Sequence, residues 1–224
     1  MNEEVLERNV KIVRKNLFRQ MKASLDVGNK LIDEELNGLG MLLRPIVKLF
    51  YNTLVRTDLE TGTKNLINLT LKTTKDMILN GVELESDEFY QELDRIFPTY
   101  LKEDQTTRQC KKNHKNFPYL KENLKRTLKW QMIPMYRLLS VTDENVTDYH
   151  SLCMVAFPTK EDCRSLLKNQ LDSMNDGLVV IEQDLSILNI ATAREVIMRV
   201  LRKGFDRKSE DFLSDIDNIY NNTH

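Results

Sequence analysis

Arg108 and His114 are separated by five intervening residues in a lysine-rich stretch, and a guanidinium near an imidazole can hold a phosphate while moving a proton. Cys110 with His114, and His150 with Cys153, supply two pairs of zinc-type ligands at spacings of four and three. Structural thiols and incidental histidines give the same pairs without a metal, so no metal is expected. The chain carries no P-loop, G-x-G-x-x-G, nucleophile elbow or H-E-x-x-H. Neither catalysis nor a cofactor is expected.

The stronger pattern is one of charge. Residues 9 to 22 read NVKIVRKNLFRQMK, and between Glu7 and Asp26 stand Arg8, Lys11, Arg14, Lys15, Arg19 and Lys22 without an intervening acid, in a chain of net charge −1. At about 100° per residue, Arg8, Lys11, Lys15, Arg19 and Lys22 fall within an arc of roughly 80°. That arc is nearly opposite the apolar positions Leu6, Val10, Val13, Leu17, Met21 and Leu25, and Arg14 lies outside it. A second basic block, Gln105 to Ser140, has nine cations against Glu122, whereas residues 83 to 104 have eight acids against Arg95 and Lys102. Such blocks either polarise a surface or pair with one another.

Near an anionic membrane each cation adds about 1 kcal/mol, so five give about 5 kcal/mol, enough for transient contact without anchoring. Nucleic acid is the competing polyanion. No recognised nucleic-acid motif appears and the isoelectric point is 6.3, so no nucleic acid is expected.

These residues need elements to hold them. With 41% hydrophobic and 30% charged residues but only 7 Gly and 5 Pro in 224, the chain is poor in the turn residues of all-β proteins and has enough length for a core. An all-α helical bundle is expected. Three widely spaced cysteines argue for a reducing compartment, and neither an apolar leader nor a membrane span is evident. A cytoplasmic location is expected, with transient visits to a membrane surface.

Periodicity predicts a first helix over 3 to 26, stopped by Gly28 and Asn29, and further helical turns that bend around Gly38, Gly40 and Pro45. A third helix runs from Thr63 to Asn80 and closes at Gly81; a fourth opens at Ser86 and breaks or restarts at Pro98. Residues 109 to 118 read as a loop. An amphipathic run from Tyr119 to Pro134 precedes short helices at 135 to 140 and 146 to 157, and Thr159 with Asp162 opens a helix reaching Met174. Leu178 to Ile190 reads as helix or short strand. Two last helices, 191 to 203 and 209 to 221, are separated by a stop at Gly204.

In this order RKNLFRQM (14 to 21), LIDEEL (31 to 36), KNLINLTLK (64 to 72) with Asn80-Gly81, LKENLKRTLKWQMIP (120 to 134) and EDCRSLLK (161 to 168) resemble the tumour-necrosis-factor-alpha-induced-protein-8-like (TIPE) family over approximately residues 11 to 183. The resemblance implies a bundle over 1–183 around an apolar cavity for lipid tails, with cations attracting phosphoinositide headgroups, and a role in lipid transfer and signalling. Lys15 matches a position in the family's basic first helix, with Arg14 and Arg19 beside it. The cations expected after the third helix are replaced by Ile78 to Gly81, with only Lys75 and Arg95 near. Residues 184–224 have no counterpart and form a C-terminal helical extension.

The expected headgroup and membrane contacts are therefore Lys11, Arg14, Lys15, Arg19, Lys22, Lys75 and Arg95. Leu66, Ile67, Thr70, Leu71 and Thr74 offer a mixed lining for a cavity, or the packing of an ordinary solid core. A solid-core adaptor docking on a protein partner through the same amphipathic helix is the alternative. A third reading rests on the Arg108-to-His114 spacing, which resembles that of the all-helical HEPN ribonucleases.

Overall fold

The computed structural model describes residues 2–37, 43–52, 58–108, 117–165, 168 and 191–221, and every regular element among them is helical. The elements are α1 (Glu3–Leu36), α2 (Leu43–Phe50), α3 (Asp58–Leu79), α4 (Asp87–Arg108), α5 (Phe117–Leu139), α6 (Tyr149–Ala156), α7 (160–165) and α8 (Ala191–Asn221). No described helix is long and apolar enough to cross a membrane.

The helix α1, at 34 residues, is roughly 50 Å long and joins two cores. Its first half lays Leu6, Val10 and Val13 against Ile67 and Leu71 of α3, Leu138 and Leu139 of α5 and Leu152 of α6. Its second half lays Leu31, Ile32 and Leu36 against Val47 and Tyr51 and against Val196, Ile197 and Val200 of α8. The C-terminal segment thus shares a core with α1 and α2. A third core fills the space between α3, α4 and α5 with Met77, Phe89, Leu93, Tyr100, Leu128 and Met132.

Several expected breaks are absent, for one reason: a continuous buried face outweighs a weak local stop. Gly28 does not end α1, because the buried Leu31, Ile32 and Leu36 continue its register, and the missing side chain lets Tyr51 approach. Pro98 does not interrupt α4, whose buried residues Phe89, Leu93, Ile96, Phe97 and Tyr100 keep helical spacing across it. Pro134 likewise sits inside α5, which runs to Leu139 instead of restarting at 135. Gly204 is not a stop either: α8 is one helix, and Gly204 faces Leu31, whose Cδ1 lies 3.6 Å from where a Cβ would be.

Strong local signals hold. Gly81 has φ +71°, and Gly81 and Val82 donate to the carbonyls of Ile78 and Met77 at 3.1 and 3.0 Å, a paired closure of α3. Ser86 Oγ accepts from Phe89 N at 3.2 Å, and Thr159 Oγ1 accepts from Asp162 N at 3.1 Å, opening α4 and α7. Asp148 does the same for α6 through Ser151 N at 2.9 Å. Pro45 falls in the first turn of α2, where its missing N–H has no helical partner to lose. Of the loop expected over 109 to 118, Phe117 and Pro118 instead open α5, where a proline in the first turn loses no helical bond, and residues 109–116 lie outside the described residues, as do Gly38, Gly40, Leu166, Leu167, residues 169–174 and Leu178 to Ile190.

Candidate functional site

The basic stripe depends on how firmly α1 is held from behind. Leu6 and Val13 are fully buried, and Asn9, also fully buried, donates from Nδ2 to the carbonyls of Leu139 (3.2 Å) and Val141 (2.8 Å). These bonds occupy carbonyls at the C-terminal end of α5, where intrahelical donors run out. Asn9 Oδ1 in turn accepts from the Arg8 guanidinium, which also donates to the Glu144 and Asp143 carbonyls at 2.8 and 2.9 Å. Arg8 therefore ties down the 140–148 turn and is not a free member of the arc.

The remaining cations stand outward. Lys11, Arg14, Lys15, Arg19 and Lys22 are all exposed. Among the described residues Lys11, Arg14, Lys15 and Lys22 make no ion pair; Arg19 donates to Asn16 Oδ1 at 2.9 Å. Lys11, Lys15, Arg19 and Lys22 share one face of one rigidly supported helix and form a cationic strip, with Arg14 exposed beside it. Its N-terminal end borders an open depression of about 520 Å³ lined by Glu3, Glu4, Glu7, Arg8, Lys11, Ile12 and Thr147.

The other two expected headgroup residues are engaged elsewhere. Lys75 on α3 is paired with Glu7 and is partly buried; this bond, first of all, holds the Glu7 carboxyl below and the Lys75 ammonium above their ordinary values. Arg95 lies on α4, bonded to Glu92 at 2.7 Å, and α4 packs chiefly on α3 and α5. Neither joins the strip.

The five residues expected as mixed lining sit in packed surroundings. Ile67 and Leu71 belong to the core under α1, and Leu66 packs on the core between α3, α4 and α5. Thr70 and Thr74 are fully buried, their hydroxyls donating to the carbonyls of Leu66 and Thr70 one turn earlier at 2.8 and 2.7 Å.

Of the chemical pairs, His150 is exposed on α6 while Cys153 packs toward the core, so the two diverge. The Arg108 side chain, Cys110 and His114 lie outside the described residues. No group of three His, Cys, Asp or Glu able to hold a metal occurs among the described residues.

Two networks escaped sequence reasoning. Asn9 and Asn16, seven apart and both buried, sit within the apolar face of α1, and that misplacement is a readable sign of interior hydrogen bonding that Asn9 fulfils, whereas Asn16 Nδ2 is buried without a partner. A cluster of Tyr149, Cys153, Cys163 and Tyr220 left no such trace, because its members are far apart in the chain. No protein-family model matches the chain, and no curated protein or solved structure matches it either.

Proposed function

We propose that the protein is a peripheral lipid-binding protein that docks on anionic, phosphoinositide-bearing membranes through the basic strip of α1 and so serves as a signalling regulator. The observation that carries this reading is the exposure of Lys11, Arg14, Lys15, Arg19 and Lys22 along one helix, four of them without an ion pair among the described residues. Five cations at about 1 kcal/mol each favour attachment that forms and releases readily. Lys75 and Arg95 take part only by exchanging Glu7 and Glu92 for a headgroup. In the fuller form of this reading an acyl chain enters the bundle beside Leu66, Ile67, Thr70, Leu71 and Thr74, which requires the packed core around them to open.

Flotation with phosphoinositide-containing vesicles, against vesicles of neutral lipid alone, tests the surface. Binding is expected with the former only and weakens as salt rises, since exposed charges are screened over about 8 Å at physiological ionic strength. Changing Lys11, Lys15 and Arg19 together to Glu abolishes it. Absence of binding at low salt, or binding indifferent to the triple change, overturns the reading in favour of a protein partner for the same strip. Native mass spectrometry for co-purified lipid tests the acyl-chain step separately.

A further inference from the structure

The C-terminal end of α8 is fastened to α7 and to the turn before it by a small set of polar contacts. Tyr220 Oη donates to the Phe157 carbonyl at 2.5 Å and lies 3.0 Å from Cys163 Sγ. With the tyrosine proton directed at Phe157, the thiol is left to donate S–H toward the oxygen. One helical turn earlier Ile216 is buried, and Asp217 bonds Lys160 at 2.8 Å and Arg164 at 3.3 Å. Between this fastening and the contact of Gly204 with Leu31, the residues Asp206, Arg207, Glu210 and Asp211 are exposed. Among the described residues these contacts hold the end of α8, with a thiol among them.

A second thiol packs on the same core as the first. Cys153 on α6 and Cys163 on α7 are joined by the short turn 157–159 and pack against the same apolar core, together with Tyr149. We propose that Cys153 and Cys163 are a peroxide-oxidisable pair whose conversion to a disulfide releases the C-terminal end of α8.

The chemistry balances with hydrogen peroxide as the oxidant. The Cys163 thiolate attacks one peroxide oxygen, the O–O bond breaks, and the departing hydroxide takes a proton and leaves as water. The Cys153 thiolate then attacks the resulting sulfenic sulfur; the S–O bond breaks, a second water leaves, and the disulfide forms. Two thiols lose two electrons and two protons, and the peroxide is reduced to two waters. The product sulfur has no proton to offer Tyr220, and its bond to Cys153 draws it toward α6, so the contact with α8 is lost.

The closed arrangement protects both thiols. Burial pushes the Cys153 thiol up to about 12 and raises that of Cys163 as well, and a charge on Cys163 would oppose ionisation of Cys153. Thiolate, the reactive form, is scarce until α8 lifts and water enters. Oxidation thus captures the lifted state.

The full-length chain is treated with hydrogen peroxide, alkylated and mapped without reduction by mass spectrometry, with amide exchange followed over residues 213–221. A peptide linking Cys153 to Cys163 is expected, with exchange over 213–221 faster by roughly tenfold and restored by a thiol reductant. Absence of that linked peptide, its replacement by a pair involving Cys110, or a link that leaves exchange unchanged overturns the proposal. Tyr220→Phe keeps the ring and removes the hydroxyl contacts, so alkylation of Cys163 before any oxidation is expected to accelerate roughly five-fold. Unchanged labelling overturns the gating by α8.

Discussion

The two halves of α1 treat their charges in opposite ways. In the second half Asp33 bonds Lys48 of α2 at 2.6 Å, Glu35 bonds Arg199 at 3.0 Å and also Lys203 of α8, and the Leu36 carbonyl accepts from Arg44 at 2.7 Å. In the first half the acids stop at Glu7, which is taken by Lys75, and the exposed cations from Lys11 to Lys22 follow without an acid among them. The interiors differ in the opposite sense: the first half buries Asn9 and Asn16, while the second buries aliphatic residues. The difference teaches where each half gets its hold. The first half is fixed by its core and by the Asn9 amide, which leaves its outer charges available to something outside the chain. The second half uses its outer charges to hold α2 and α8.

The largest effect that would break this contrast is on binding. Reversing Lys11, Lys15 and Arg19 to Glu removes about 3 kcal/mol of attraction and adds repulsion, so vesicle affinity should fall at least roughly a hundredfold while the melting temperature stays near that of the wild type. Arg199→Glu with Lys203→Glu should do the reverse, lowering the melting temperature and sparing vesicle binding. If both variants lose both properties, the halves are not separate in function.

Next in size is the interior of the first half. Asn9→Ala leaves the Leu139 and Val141 carbonyls without their buried donor and is expected to cost about 2–3 kcal/mol in denaturant unfolding. A cost below about 0.5 kcal/mol would show that Asn9 does not hold α1 to the end of α5. Gly28→Ala should cost about 1–2 kcal/mol, because the added Cβ collides with Tyr51 Oη. Adding Tyr51→Phe to it should recover most of that loss, and a failure to recover would mean that the clash is not the cause.

Much of this organisation was legible in the chain, element by element. The 3.6-residue spacing of Leu6, Val10 and Val13 announced both the buried face of α1 and the exposure of Lys11, Lys15 and Lys22. Asn80-Gly81, Ser86 and Thr159 marked boundaries because each acts through bonds only a few residues long. Misread boundaries lay where a local residue competed with distant packing: Gly28 against Tyr51, Gly204 against Leu31, and Pro98 against the buried row from Phe89 to Tyr100. The isolation of the strip was not legible either. Spacing put Arg8 in the same arc as Lys11, and only the folded turn at Asp143 and Glu144 draws Arg8 away. Lys75 and Arg95 enter through the resemblance, as the cations nearest the end of α3, and the resemblance carries no information about Glu7 and Glu92 as partners.

The smallest effect sharpens the second half. The Glu35 carboxyl is held below its ordinary value first by the bond from Lys203, then by the nearness of that charge and by Arg199, with burial opposing. A lowered carboxyl contributes stability that is present above the ordinary glutamate range and is lost as pH falls through the folded value. Glu35→Gln keeps the shape and removes the charge, so at neutral pH it should lower stability by at most about 1 kcal/mol, as befits a pair at the protein's edge. The gap between variant and wild type should then shrink as pH falls below the ordinary glutamate value of 4.5 and close in strong acid, where both side chains are neutral. A gap of the same size at every pH would mean that Glu35 acts by packing and not by charge, and the contrast between the two halves of α1 would rest on the first half alone.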